Sequence, residues 1–413
     1  MRVEVVNTGT ELLLGTVINT HLKLFAEAIF PLGLRIERQV TVPDGSAIRD
    51  ALVDSFTRAE IVFVTGGLGP TTDDLTREIT ADLLGVELVH DEEIMAAIRA
   101  RFTRRGLKMS DRIALQALRP REAIVLRNDN GTAPGLYFPA DATKGSPHLF
   151  LLPGPPRELR PMFTDSVLPI LESLLPPGPR AEIRTYRIAG LGESAVEESV
   201  GESLLALGLE VGYCARPGEV DLRTIGAAAV LEQARTLIIE KLGPHIVTED
   251  QRPIEQIVVE LLTVQRQTLA LAESCTGGFI AHRITNVPGA STPFLAGYVT
   301  YANAAKARAL SVDVGAIAAH GAVSAVVAQA MAEGARQAID ADHALATTGI
   351  AGPGGGSEEK PVGTVFIALA SRGAETFVVR FRYPADRETF KFLTTQTALD
   401  LLRRRLLSLP LER

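Results

Sequence analysis

The sequence predicts an α/β protein of more than one domain, and three observations carry that prediction. Apolar β-branched runs alternate with segments of helical apolar spacing towards both ends of the chain, as in IVFVTGG (Ile61–Gly67) followed by Leu75–Leu84. Strands alternating with helices imply a parallel sheet covered on both faces. At 413 residues the chain exceeds one ordinary core, and about 150 residues per domain gives two or three units. The stretch LLPPGPR, with Pro176, Pro177 and Pro179 around Gly178, has the composition of a stiff linker.

In chain order, VEVVNTG reads as a buried strand and Asn19–Gly33 as a helix ending at glycine. Ile48–Ala59 and Leu75–Leu84 read as helices around the strand Ile61–Gly67, and His148–Leu152 as a further central strand stopped by prolines. A first domain therefore spans 1–175. Residues 176–252 form a small α+β module: a strand EIRTYRIAG, a helix Glu193–Leu207, a strand pair around GEVDLRTIG and a helix Leu231–Leu242. A second boundary falls at Glu249–Pro253. Residues 253–413 return to an α/β rhythm, with strands at TLALAES, FLAGYVTY, His343–Ile350, TVFIALAS and TFVVRFRY and a helix at the C-terminus.

Composition excludes several classes. With 46% hydrophobic and 22% charged residues the chain is neither disordered nor fibrous. A net charge of −7 offers no general attraction for nucleic acid or anionic membrane, so direct nucleic-acid contact is not expected. Cys214 and Cys275 form no CxxC pair, which removes disulfide frameworks and thiolate zinc sites and favours a reducing cytoplasm. Glu4 and Glu11 interrupt any secretory signal, and no run reaches the ~20 apolar residues of a membrane span.

Two glycine-rich constellations could carry chemistry. TGGLGPTTDDLT (Thr65–Thr76) sits between a strand and a helix, where Gly66, Gly67 and Gly69 let backbone approach an anion and Thr71 and Thr72 add hydroxyls. Asp73 and Asp74 could hold a divalent metal bridging phosphates; the competing reading is a tight turn with Asp73 as helix cap. GTELLLG (Gly9–Gly15) and LPGPPREL (Leu152–Leu159), with Gly154, also follow strands, and ligands collect at such ends. Glu11 reads either as a loop acid or as a metal ligand, and DNGTAPG (Asp129–Gly135) as a turn.

In the last domain AESCTGG (Ala272–Gly278) places Ser274, Thr276, Gly277 and Gly278 at a helix start, a phosphate-binding arrangement. Cys275 reads as buried and inert, since no positioned histidine accompanies it. Lys306 lies just inside a helix, where the dipole disfavours an ammonium; a neutral lysine can act as a base. Tyr301 and Ser291 are candidates to share its site, as Ser activated by Lys is an alternative to Ser-His-Asp. The plain alternatives are a solvated lysine, a packed tyrosine and a turn serine, with Arg387 an ordinary surface arginine.

These residues carry a resemblance. TGGLGPTTDDLT, NGTAPG, LPGPPREL, GLGES, PGEVDLR, AESCTGG, GYVTYANAAK and GIAGPGGGSEEKPVGT, in that order, resemble the CinA family of bacterial competence/damage-inducible proteins over essentially the whole chain. The resemblance implies a molybdopterin-binding-like three-layer α/β/α first domain, similar to ones that hydrolyse ADP-ribose with a divalent metal. It implies that the last domain is a nicotinamide mononucleotide (NMN) amidohydrolase needing no cofactor. Carried over by motif, Ser291 would be the nucleophile, Lys306 the base and Tyr301 its assistant, with Ser274, Thr348 and Arg387 contacting substrate and Gly349–Gly352 near the oxyanion. Departures fall in the first domain, where Thr10 replaces an acid in GTELL and His21 replaces an asparagine. The expectation is therefore a cytoplasmic, homodimeric enzyme of pyridine nucleotide recycling. The rival is a molybdopterin-like ligand carrier or a competence-associated binding protein without turnover.

Overall fold

The computed structural model describes residues 1–411. They form two compact units, Met1–Ala181 and a second that begins at Glu182.

The first unit is built on β1 (Arg2–Thr8), α1 (His21–Ile29), β2 (Arg35–Val42), α2 (Ala47–Phe56), β3 (Ile61–Thr65), α3 (Thr76–Leu84), α4 (Glu92–Arg104), β4 (Ile124–Leu126), β5 (Gly135–Phe138), β6 (His148–Leu152) and α5 (Pro156–Met162). The six strands lie in the order β2-β1-β3-β6-β5-β4. Alternation puts Val3, Val5, Phe63 and Phe150 into one core and Val6, Val62, Val64 and Leu149 into another, so both faces are covered as the apolar strands require. The Phe63 ring packs tilted against Phe25 at 5.1 Å and edge-on to Phe163 at 5.3 Å, fixing α1 on the first face.

The sheet is not wholly parallel. β4, β5 and β6 pair antiparallel, because the connections 127–134 and 139–147 are too short for a parallel crossover of about a dozen residues or more. α4 was not read from the sequence. Asp91 caps it, its carboxylate accepting from Glu93 N at 3.0 Å and Ile94 N at 3.1 Å.

The second unit opens with β7 (Glu182–Ala189), α6 (Glu193–Ala206), β8 (Glu210–Arg216), β9 (Glu219–Gly226), α7 (Ala228–Leu242) and β10 (Ile246–Thr248). Its antiparallel sheet has the order β8-β9-β7-β10. Then follow α8 (Ile254–Gln265), β11 (Leu269–Glu273), α9 (Phe279–Thr285), β12 (Phe294–Val299), α10 (Asn303–Leu310), α11 (Ala325–Ala338), β13 (His343–Gly349), β14 (Thr364–Ser371), β15 (Ala374–Arg382) and α12 (Arg387–Leu406). The order β12-β11-β13-β14-β15 is parallel across the first three strands.

Large and small side chains segregate on this sheet. Leu269, Leu271, Leu345 and Ile367 meet α8 and α12 on one face, while Ala270, Ala272, Ala344 and Ala346 let α11 approach closely through Val327 and Met331 on the other. The sequence boundary at Glu249–Pro253 does not separate compact units. Arg403 reaches across it to Ile246 O and Pro244 O, both at 3.0 Å, while Asp400 neutralises Arg403 and Arg404, all three nearly inaccessible. Removing the acid of such a buried set would leave uncompensated charge, and the set ties the last helix to the module within one compact unit. Among the described residues no helix is long and apolar enough to cross a membrane.

Candidate functional site

The strand order determines where the last sheet can hold a ligand. From β11 the chain moves to β12 on one side and then to β13 on the other, and the crevice at such a reversal opens at the strand C-termini. Ser274, Thr300 and Gly349 stand at those three ends. A cleft of about 290 Å³ lies there, lined by Ser274, Tyr301, Lys306, Thr348, Gly349, Gly352 and Arg387 among others. That is the low end of small-molecule pockets.

Lys306 organises the cleft. It projects from the first turns of α10, 1% exposed, and its Nζ lies 3.1 Å from Ser274 Oγ, 2.7 Å from Thr300 O and 3.3 Å from Tyr301 O. Burial holds its pKa below the usual lysine value, with no carboxylate partner among the described residues. A neutral amine has two N–H bonds and one lone pair. The two carbonyls accept the N–H groups, which leaves the lone pair for the Ser274 hydroxyl.

The mouth is formed by Arg387. Its guanidinium donates to Gly352 O at 3.0 Å and to Tyr301 Oη at 2.6 Å. Arg387 is set by the start of α12, where Asp386 caps the helix through Glu388 N and Thr389 N. Ile350 N–H donates to Thr364 O, while the next two N–H groups, of Ala351 and Gly352, make no hydrogen bond among the described residues. They are candidate oxyanion donors.

Four residues assigned from the sequence fall outside the cleft. Ser291 is exposed and precedes β12, whereas the cleft residues follow their strands. Leu269 pairs with Phe294 and Glu273 with Val299, so at about 3.3 Å per residue Ser291 is some 20 Å away at the opposite end of the sheet. Thr276 is fully buried and shares a hydrogen bond with Thr347 Oγ1 at 2.8 Å, so it packs the fold and does not line the cleft. Gly277 and Gly278 also lie outside the cleft lining. The helix start they introduce is already filled: Glu273, inaccessible to solvent, accepts from the N–H groups of Gly278 (3.0 Å), Ile280 (3.1 Å) and Ala281 (2.9 Å). A phosphate would find no free donors there. Cys275 touches the cleft, but burial pushes its thiol up to about 12, far from a thiolate at neutral pH.

In the first unit the three expected loops do meet. Glu11, Gly66, Gly67, Gly69, Asp73, Asp74 and Gly154 line a pocket of about 530 Å³ at the C-terminal ends of β1, β3 and β6. Gly67, at φ 66°, admits no side chain, because a Cβ would stand 2.0 Å from Thr76 Oγ1. Thr71 and Thr72 are exposed and outside the lining.

The acidic pair does not fit a metal cage. Asp74 accepts from Thr71 N at 2.9 Å and from the Thr71 hydroxyl, so it closes its own turn. No group of three or more His, Cys, Asp or Glu able to hold a metal occurs among the described residues.

Polar residues not predicted as ligand contacts complete this pocket. Asn19 Nδ2 and Gln116 Oε1 are buried in its wall without hydrogen-bond partners. Buried polar atoms are ordinarily paired, so two unpaired amide atoms in one pocket wall point to a bound water or polar ligand. His21 Nδ1 lies 3.0 Å from Thr65 Oγ1, which donates to Asn7 Oδ1 at 3.0 Å, and burial lowers the His21 pKa. The signal for these residues was weak: Gln116 lies in a short helical turn, and Asn19 in a loop ahead of α1.

Comparison with known proteins gives a consistent order of matches. Residues 4–173 match the family described as probable molybdopterin binding domain, 183–243 the damage-inducible protein CinA KH domain, and 251–406 the CinA C-terminal domain. A CinA-like protein of Akkermansia muciniphila is 47% identical over 400 residues, covering 97% of this chain and 96% of its own. A CinA-like protein of Geobacter metallireducens is 42% identical over 417 residues, covering 99% and 100%. Among solved structures, the competence/damage inducible protein CihA from Agrobacterium tumefaciens is 40% identical and matches 36% of this chain and 91% of its own, with a TM-score of 0.36.

Proposed function

The chain belongs to the CinA family, and on that premise we propose that the cleft of its last domain is an amidohydrolase site, converting NMN to nicotinic acid mononucleotide and ammonia. The observation that carries this reading is the buried Lys306 amine 3.1 Å from the Ser274 hydroxyl. Ser274 replaces Ser291 as nucleophile.

In this mechanism neutral Lys306 takes the Ser274 proton as Oγ attacks the carboxamide carbon of the pyridinium ring. The oxyanion develops against the Ala351 and Gly352 N–H groups. Collapse breaks the C–N bond, and the Lys306 ammonium returns its proton to the leaving nitrogen, which departs as ammonia. Water then attacks the Ser274 ester with Lys306 again as base, giving the carboxylate product and restoring the serine. Arg387 supplies positive charge for the substrate phosphate, and Thr348, which donates to Ala322 O at 2.8 Å, shapes the wall.

The pocket of the first unit supports a reading as a binding site for a phosphate-bearing nucleotide or pterin. The orphan polar atoms Asn19 Nδ2 and Gln116 Oε1 favour binding. ADP-ribose is the nucleotide implied, but a step through a divalent metal has no support in the donor set. The four glutamates exposed along α6, Glu193, Glu197, Glu198 and Glu202, favour a role without direct nucleic-acid contact.

The test is to incubate the purified chain with NMN and follow ammonia and nicotinic acid mononucleotide. Turnover lost in Ser274→Ala and Lys306→Ala but kept in Ser291→Ala is the expected result. No ammonia from the unaltered chain, or full activity in Ser274→Ala, overturns the assignment.

A further inference from the structure

The middle module lies against the helix that carries Arg387. The turn between β8 and β9, at Pro217 and Gly218, rests on α12: Gly218, at φ 79°, is so close that a Cβ there would stand 3.1 Å from Gln396 Cγ and 3.5 Å from Leu393 Cδ2. Gln396 Nε2 donates to Glu219 Oε1 at 2.5 Å. In the last turns of the same helix, Arg403 donates to Pro244 O and Ile246 O. α12 therefore meets the module along its second half, while its first residue, Arg387, stands at the cleft mouth. Gln396 and Arg387 are about 14 Å apart along the helix, at 1.5 Å rise per residue.

The chemistry of this contact is unusual for a packing surface. Glu219 and Asp221 are two residues apart on β9, both buried, and share Arg187, whose Nε lies 3.0 Å from Asp221 and 3.6 Å from Glu219. Arg187 also donates to Gln251 O at 3.0 Å and Arg252 O at 3.3 Å, and Arg216 pairs with Asp221 at 2.7 Å. From α9, which starts five residues after Ser274, comes Arg283, paired with Glu255 of α8 at 2.6 Å and near enough to Glu219 to favour its ionised form. Two atoms of this set, Gln396 Oε1 and Arg283 Nη1, are buried without a hydrogen-bond partner. A glutamine buried with half its amide unpaired gains little stability over an apolar side chain of the same volume. What it supplies is register. Phe390 packs α12 on the sheet, but apolar contact is non-directional and leaves a helix free to shift along its axis. The Gln396–Glu219 bond is directional and is met at one axial position.

We propose that Gln396 is a positioning residue for the cleft. Keyed to Glu219 of the module, it sets the axial position of α12 and so places the Arg387 guanidinium that receives the substrate phosphate. The module then governs substrate affinity without touching substrate. This rests on the reading of the cleft as an amidohydrolase site.

Steady-state kinetics of the full chain on NMN, with melting temperatures of each variant, test it. Gln396→Met keeps the volume and removes the key, which separates register from stability. Gln396→Glu sets a third carboxylate beside Glu219 and Asp221; adding Glu219→Gln exchanges the two groups and restores one donor facing one acceptor. Each single change at Gln396 should raise KM about fivefold or more with kcat within about twofold, because a phosphate contact made equally in ground and transition states acts on KM alone. The double variant should return KM to within about twofold of the unaltered chain. A contact that serves only the fold would lower the melting temperature and leave KM as it was. An unchanged KM in Gln396→Met, or a folded double variant whose KM stays raised, overturns the positioning role alone. No ammonia from the unaltered chain overturns the amidohydrolase reading and this role with it.

Discussion

The cleft behind Lys306 and the pocket behind Gly66 occupy equivalent places, each at the C-terminal ends of parallel strands where the strand order reverses. They differ in what they hold. The cleft is the smaller and contains a hydroxyl within hydrogen-bond reach of a buried amine whose proton affinity is lowered. The pocket is roomier and offers orphan amide atoms and closely packed glycines, and its Asp74 closes a turn. Shared topology explains why both are candidate sites. The proton-transfer pair explains why one is read as a reaction centre and the other as a receptor.

The largest effect that could break this contrast is the loss of the cleft's pair. Ser274→Ala and Lys306→Ala should each reduce NMN turnover by about a thousandfold or more, measured as ammonia released. Ser291→Ala should stay within about twofold. Comparable losses on altering Asp74 in the first unit would erase the distinction between the two sites.

A second effect follows from the amine. Only neutral Lys306 accepts the serine proton, so kcat/KM should rise about tenfold per pH unit on the acid side. The plateau should be reached below the ordinary lysine value of about 10.4, because burial lowers this pKa. A rate that falls with rising pH over that limb would remove Lys306 as base.

Glu273→Gln should destabilise the second unit by about 2 kcal/mol through loss of charge at three backbone N–H groups, read as a lower melting temperature. A further effect sharpens the pH argument. Burial pushes Glu219 up to about 7, with Arg187 pulling the other way. The folded state therefore holds this proton between about 4.3 and 7 while the unfolded state has released it. Stability falls as pH rises through that window, opposite in sign to the activity limb. Glu219→Gln should flatten the stability slope in denaturant titrations at several pH values and leave the kinetic limb in place.

Much of this was legible beforehand, and the failures have identifiable causes. Apolar runs located most of the core strands, and glycine clusters after β1, β3, β11 and β13 marked the loops that line both cavities. The assignment of Ser291, carried over by motif, requires the loop before β12 to fold back over the far end of the strand, and the loop does not do so. Ser291 precedes its strand and Ser274 follows one, and only the latter end can reach Lys306. Thr276 and Gly278 looked like phosphate contacts because Glu273, the group that fills the helix start, lies on the preceding strand and reads there as an interior residue. α4 escaped notice because its apolar set, Ile94, Met95 and Ile98, is sparse within a charged segment. The antiparallel β4 and β5 follow from loop length, which composition does not report.

Glu273 has one further consequence. By closing the positive end of α9 from inside the protein, it removes an immobile source of potential from the neighbourhood of Ser274. The field across the cleft is then set by the fixed charge of Arg387 and by an amine whose charge follows the medium. A cleft of this construction adds to one constant attraction for an anion a second that varies with acidity.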